Sequence, residues 1–275
     1  MTKEGLVWGF VRTAGTAALE VGWTALHLRR SVEQRRKPMG PTEAAQWLKL
    51  FYEDRRQEDL GEFSVDGQIP ALGQLVAAGF WFTVYSLETA RGRRVLKISH
   101  EHQPWSGQPS PASEDFFEHY QENLARQRSI YSSRLPHLIL PQEARFVHNG
   151  RRGATLIVQP YIPHGKRVPD FQALAPPDQK KIIDEYDAFI DLTRRLRTEG
   201  LQPDLVLDRL VRENHNLVIA QMADGYYLVL LDNGAIDLRR KKAPLLNMVA
   251  PLTADLTSER ARLRRIHGDN NNGHR

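Results

Sequence analysis

Cysteine is absent from this 275-residue chain, which excludes disulfide bonds, thiolate metal sites and a cysteine nucleophile. The sequence also has no Gly-x-Ser-x-Gly pattern, no Walker A pattern and no internal repeat. Among the histidines, His100 and His102 lie close together without a third ligand nearby, so a transition-metal site is not expected. These absences remove disulfide-framework, serine-hydrolase and P-loop classes from consideration.

A long uninterrupted hydrophobic run is absent as well. Residues 5–28 are apolar, but Arg12, Glu20 and His27 interrupt them, which argues against a spanning helix. They contain no signal-peptide cleavage pattern. Because a basic stretch follows at residues 29–37, these residues could form an amphipathic helix on an anionic membrane surface, with contact through residues 5–37. The alternative, a helix packed on the protein's own body, is slightly favoured.

The overall composition is that of an ordinary globular protein. Hydrophobic residues make up 41% of the chain and charged residues 26%. The formal net charge is +5, and the excess lies in short basic clusters that suit nucleic acid, anionic membrane or phosphorylated substrates, or are simply solvated. Without an aromatic–basic motif or a helix-turn-helix pattern, nucleic acid is not an expected partner.

Pattern changes along the chain predict an α+β fold in four parts. We expect a helical extension over residues 1–60 and a β-rich lobe with one helix over residues 61–160. A reduced, mostly helical lobe is expected over residues 161–267, followed by a disordered tail at residues 268–275.

A β-hairpin is the strongest local prediction. Apolar runs begin at Asn216 and at Tyr226, and the Asp-Gly pair at 224–225 between them is a strong turn signal. The hairpin places Asn216 near Asp232, because the second run ends with Leu-Asp-Asn-Gly. An amide and a carboxylate oxygen on adjacent strand ends suit Mg²⁺.

Upstream, the patterns predict strands and helices in a definite order. Two strands surround a small-residue turn that contains Gly79, and a third strand carries Lys97. A helix over residues 114–131 carries Glu118 and Glu122, and strands over residues 143–147 and 154–162 flank an Asn-Gly turn. An amphipathic helix over residues 178–198 precedes the hairpin.

Taken in order, Gly79, Lys97, Glu122, Asn216 and Asp232 resemble the site of the protein-kinase-like superfamily over roughly residues 64–240. The segments 211–219 and 231–234 are most similar to small bacterial kinase-like proteins of the YrbL family. They are more distantly similar to the lipopolysaccharide (Kdo/heptose) kinases. The resemblance implies a two-lobed fold: an antiparallel β lobe with one helix, and a reduced helical lobe that contains the hairpin.

The resemblance also implies ATP and Mg²⁺ as cofactors. Lys97 and the turn at Gly79 would hold the phosphates, and Glu122, with Glu118 in reserve, would orient the lysine. Backbone groups near Gln159 and Tyr161 would bind the adenine edge, although the proline at 160 lacks a donor. Asn216 and Asp232 would bind the metal, and Asp237 is either a second ligand or a capping residue.

The implied activity is phosphoryl transfer from ATP to a small, sugar or lipid-linked acceptor, because the short stretch after Asp232 leaves no room for a peptide-binding platform. The catalytic base departs from the kinase pattern, since Val211 stands where an aspartate is expected. Asp208 is the predicted substitute, with Glu213 and His215 as alternatives. A nucleotide-binding pseudokinase is the alternative function, and the expected location is cytoplasmic or peripheral at the inner membrane surface.

Overall fold

The computed structural model describes residues 38–53, 69–78, 81–89, 92–100, 110–162, 168–203, 216–231, 233, 235–237 and 252–272. This part of the chain contains four α-helices and nine strands, so the α+β prediction is confirmed. The helices are α1 (Pro41–Glu53), α2 (Glu114–Tyr131), α3 (Pro176–Thr198) and α4 (Leu252–Asn272). The strands are β1 (Leu72–Ala78), β2 (Phe82–Thr89), β3 (Gly92–Ser99), β4 (Glu143–Asn149), β5 (Arg152–Pro160), β6 (Leu201–Pro203), β7 (Leu217–Met222), β8 (Gly225–Leu230) and β9 (Ala235–Asp237).

Five strands form an antiparallel sheet in the order β1-β2-β3-β5-β4. The β4–β5 hairpin turns at Gly150 and Arg151, one residue later than the predicted Asn-Gly pair, and Gly150 has a φ of 61° that glycine adopts at little cost. Two further pairs, β6 with β9 and β7 with β8, are each two-stranded and antiparallel.

Helix α1 covers one face of the five-stranded sheet, which we call the outer face. Its side chains Trp47, Leu48 and Phe51 pack against Leu96 of β3 and Leu156 of β5 in a hydrophobic cluster. The chain just before α1 is also held by the sheet, because the Tyr85 hydroxyl donates to the Met39 carbonyl over 2.6 Å. Residues 38–53 of the predicted helical extension therefore share a core with the β-rich lobe.

The inner face of the sheet meets the remaining helices. Helices α2, α3 and α4, together with the β7–β8 hairpin and a 3-10 helix at Val168–Ala173, contribute to one large cluster that includes Phe82 and Ile157 of the sheet. The hairpin is fixed in this cluster because the Leu230 amide donates to the Leu138 carbonyl over 2.7 Å.

Most predicted elements agree with the structure to within a few residues. Helix α2 has the predicted bounds and is capped by the Ser113 hydroxyl, which accepts from the Phe116 amide. Helix α3 starts two residues earlier than expected, and Gly200 follows its end with a φ of 80°. Its predicted apolar side chains are buried: Ile182, Ile183, Tyr186, Phe189, Ile190, Leu192 and Leu196.

The C-terminal residues differ from the expected disordered tail, because α4 continues to Asn272. Packing of Leu256 and Leu263 into the inner cluster supplies the nucleus of this helix, and each added residue then extends it at low cost. None of the helices in the described ranges is long and apolar enough to cross a membrane.

Candidate functional site

The site is built around the last residues of the β7–β8 hairpin. The predicted hairpin is confirmed: β7 and β8 pair from Leu217 with Leu230 to Met222 with Gly225. Beyond the last pair, the Leu231 amide donates to the Asn216 carbonyl over 2.7 Å. Asn216 therefore pairs with Leu231, the residue that precedes Asp232 in the sequence.

Two donors from the five-stranded sheet converge on the Leu231 carbonyl. The Lys97 ammonium of β3 donates to this oxygen over 2.5 Å, and the Gln159 side-chain amide of β5 donates to it over 3.0 Å. Lys97 is 7% exposed and Gln159 is 3% exposed. A charge and an amide this deeply buried are costly unless they are paired, so the Leu231 carbonyl is a principal partner of both.

A second pair of contacts holds Asn233. The Gln127 side chain of α2 donates to the Asn233 carbonyl over 2.9 Å, and the Asn233 side chain donates to the Gln142 amide oxygen over 2.8 Å. Gln142 in turn donates to the Tyr120 hydroxyl over 2.5 Å. The backbone on both sides of position 232 is therefore fastened: Leu231 by the sheet, and Asn233 by α2 and the segment before β4.

Three amide oxygens in this network have no hydrogen-bond partner among the described residues. They belong to the side chains of Gln127, Gln159 and Asn233, each of which uses its amide hydrogens as donors. An unpaired buried acceptor costs free energy comparable to a lost hydrogen bond. Each of these oxygens keeps its capacity to accept a hydrogen bond.

The predicted glutamates do not lie among the buried polar groups that contact Leu231 and Asn233. Glu118 and Glu122 are both exposed on α2, whereas the buried polar residue of that helix is Gln127. Tyr120 and Leu124 form a buried apolar stripe on this helix, and Phe116 before them is half-buried. Gln127 continues that stripe one helical turn further, at the spacing of three that places residues on one face.

The predicted adenine edge has fewer free donors than expected. The Tyr161 amide donates to the Arg93 carbonyl over 3.2 Å, and the Arg93 guanidinium lies 5.5 Å from the centre of the Tyr161 ring. The Gln159 side-chain amide already donates to the Leu231 carbonyl. With proline at 160, the backbone donors at positions 160 and 161 are thus either missing or already used.

Several predicted site residues lie outside the described residues, and their predicted roles stay predictions. These are Gly79, Asp208, Val211, Glu213, His215 and Asp232. Asp237 lies at the end of β9, where it is the register partner of Leu201.

Sequence reasoning missed Gln127, Gln142 and Asn233. A glutamine in the buried stripe of α2 was a usable signal, because a polar residue in an otherwise apolar stripe requires a buried partner. Gln142 gives no such signal, since it sits in an irregular segment whose contacts depend on the tertiary fold.

Within the described ranges, no group of three or more histidine, aspartate or glutamate side chains is placed to hold a metal ion. Comparison with known protein families finds no matching family model, and none of the curated proteins matches the chain.

Proposed function

We propose that this protein is an ATP- and Mg²⁺-dependent phosphotransferase with a kinase-like two-lobed fold. One observation carries the proposal: Leu231 accepts from the Lys97 ammonium and donates to the Asn216 carbonyl. The strand lysine and the hairpin asparagine thus meet at the residue that precedes Asp232. These contacts support the proposal because the rate of phosphoryl transfer comes mainly from positioning and charge neutralisation.

The residues present are chemically suited to these cofactors. Asn216 and Asp232 would hold Mg²⁺, and oxygen ligands are what this cation prefers. Lys97 would supply positive charge to the phosphates through an ammonium that donates one of its three hydrogens to the Leu231 carbonyl. A backbone donor to an adenine edge would come from Ile162 rather than Tyr161, whose amide is already used.

The phosphate acceptor in this proposal is a small, sugar or lipid-linked molecule. Support comes from the resemblance to compact kinase-like proteins. A nucleotide-binding pseudokinase is the second candidate, and the valine at position 211 favours it, because valine cannot accept a hydroxyl proton.

Thermal unfolding of the full chain, titrated with ATP in the presence and absence of Mg²⁺, tests the binding site. A ligand that binds only the folded state stabilises it by about 2.7 kcal/mol at a concentration of 100 times its Kd. We expect Mg²⁺-dependent stabilisation of the wild type and its loss in Lys97→Met and Asp232→Ala. Lys49→Met is the matched control, because Lys49 is exposed on α1. Absence of any Mg²⁺-dependent shift in the wild type would contradict both candidates.

Turnover separates the two candidates. ADP formation from ATP that is lost in Asp232→Ala supports the phosphotransferase, whereas binding without ADP formation for any sugar or lipid-linked acceptor supports the pseudokinase. A missing base costs about 10²–10⁴-fold in rate, so the assay must detect slow turnover.

A further inference from the structure

The edge of the five-stranded sheet carries the exposed large apolar side chains of the described residues. These are Ile69, Leu75 and Val76, which are 44%, 45% and 42% exposed. They lie in or just before β1, which pairs with β2 alone and is exposed along nearly its whole length. Exposed apolar side chains on an edge strand favour a contact that covers them.

The position of Met39 indicates which segment lies next to this edge. Leu75 pairs directly with Tyr85, and the Tyr85 hydroxyl holds the Met39 carbonyl. The Met39 amide also donates to the Thr83 hydroxyl over 3.1 Å, and Thr83 pairs with Ala78. Because directly paired residues share a face, the chain before Met39 starts on the face of the sheet that carries Leu75.

We propose that residues 5–28 pack on the exposed apolar side chains of β1 in the same molecule. Of these 24 residues, Arg12 and Glu20 carry a full charge, while Trp8, Phe10 and Trp23 are large and apolar. The other neighbouring segment, residues 54–68, is a poorer cover because seven of its 15 residues are charged.

The connecting length allows this contact. Residues 29–37 span up to about 30 Å when extended, whereas the seven residues of β1 span about 23 Å. A segment tethered this closely has an effective concentration of about millimolar, so it competes well against a second copy at micromolar concentration. This contact is independent of nucleotide binding.

The absence of cysteine makes a single-thiol test clean. In the full chain, we expect the thiol of Leu75→Cys to be alkylated about tenfold more slowly than that of Gln221→Cys, a strand residue that is also exposed in the structure. A benzophenone attached at Leu75→Cys should cross-link to a peptide within residues 5–28 of the same chain. Replacing Trp8, Phe10 and Trp23 by serine should raise the Leu75→Cys rate to that of the control.

Each other outcome overturns the proposal. Equal alkylation rates in the otherwise unchanged chain would mean that nothing covers β1. Protection that grows with protein concentration, with cross-linked dimers, would assign the surface to a second copy. Protection that requires anionic lipid vesicles would assign it to a membrane. The cross-link decides the matter even if the triple variant does not fold.

Discussion

The two faces of the five-stranded sheet are similarly buried but chemically different. Leu96 and Leu156 lie fully buried against α1 on the outer face, in a cluster of hydrophobic side chains whose rim includes Arg145 over the Phe51 ring. One residue further along the same strands, Lys97 and Ile157 turn to the inner face, where Lys97 and Gln159 donate to the Leu231 carbonyl. Side chains alternate between the faces of a strand, so a single stretch of sequence can serve both.

The contrast separates what stabilises the fold from what positions the candidate site. Apolar contacts on the outer face are non-directional, and they contribute stability in proportion to the area buried. The ammonium and amide groups on the inner face cost free energy unless they are paired, so each is placed by a particular oxygen of residue 231 or 233. Substitutions on the two faces should therefore have different consequences.

The largest expected effect belongs to the outer face. Phe51 is fully buried, and Phe51→Ala should lower the free energy of unfolding by about 3–5 kcal/mol through lost contacts and a residual cavity. Urea denaturation followed by circular dichroism measures the change. Gln46→Ala, exposed on the same helix, should stay within about 0.5 kcal/mol of the wild type. If Phe51→Ala lowered the free energy of unfolding as little as its control does, the outer face would not be the hydrophobic core described above.

A smaller but more local effect is expected on the inner side. Gln127→Leu keeps the side-chain size and leaves the Asn233 carbonyl without its donor, which should cost about 1–3 kcal/mol. Hydrogen exchange should also accelerate at the amides around residues 231–233, whereas Phe51→Ala should raise exchange throughout the chain.

Glu122→Gln is the matched substitution on the exposed side of the same helix. It should leave the free energy of unfolding and the hydrogen-exchange rates around residues 231–233 unchanged. It also tests the role predicted for Glu122: if this change alone abolished Mg²⁺-dependent ATP binding, a pairing with Lys97 would have to form when nucleotide binds. If hydrogen exchange at residues 231–233 were unchanged in Gln127→Leu, then α2 would not position these residues.

Local patterns were sufficient to predict most of the elements. The stripe from Ile182 to Leu196 and the turn between β7 and β8 depend on near neighbours in sequence, so periodicity and turn chemistry reveal them. The roles predicted for Lys97 and the end of the hairpin came from the resemblance rather than from any pattern. The observed contact, from the Lys97 ammonium to the carbonyl of Leu231, joins residues 134 positions apart, so no local pattern specifies it.

The inner network could not be predicted in the same way. Gln127 and Gln142 contact Asn233 across separations of 106 and 91 residues, and nothing near them in sequence specifies these partners. The extension of α4 to Asn272 was missed for a related reason. A polar helix is a weak sequence signal, and this one is stabilised by packing against α3.

The finest test compares two carboxylates of α3 that lie two residues apart and therefore on different sides of the helix. Burial raises the pKa of Glu185, although the Leu228 amide, 2.7 Å from its Oε2, opposes the change. Burial would also raise the pKa of Asp187, but hydrogen bonds from Arg260 and Arg264 of α4 outweigh it and lower that pKa.

The two shifts predict opposite pH dependences. A raised folded-state pKa means that stability is present below the unfolded pKa of 4.5 and is lost as the pH rises through the folded value. Glu185→Gln should therefore match or exceed the wild type at pH 7, because the neutral amide still accepts from Leu228. For Asp187, stability is present above 3.8 and is lost as the pH falls through its folded pKa, so Asp187→Asn should be weaker at pH 7.

We expect Asp187→Asn to lose about 0.5–1 kcal/mol at pH 7, since its ion pairs with α4 are partly exposed. Urea unfolding of both variants between pH 3 and pH 7 measures the difference from the wild type. The difference in unfolding free energy between Asp187→Asn and the wild type should vanish at the lowest pH. The difference for Glu185→Gln should decrease as the pH falls and the wild-type carboxyl is protonated. Only opposite surroundings shift two carboxyl pKa values in opposite directions. If the difference in unfolding free energy changed with pH in the same way for both variants, the placement of Glu185 under the hairpin and of Asp187 against α4 would be contradicted.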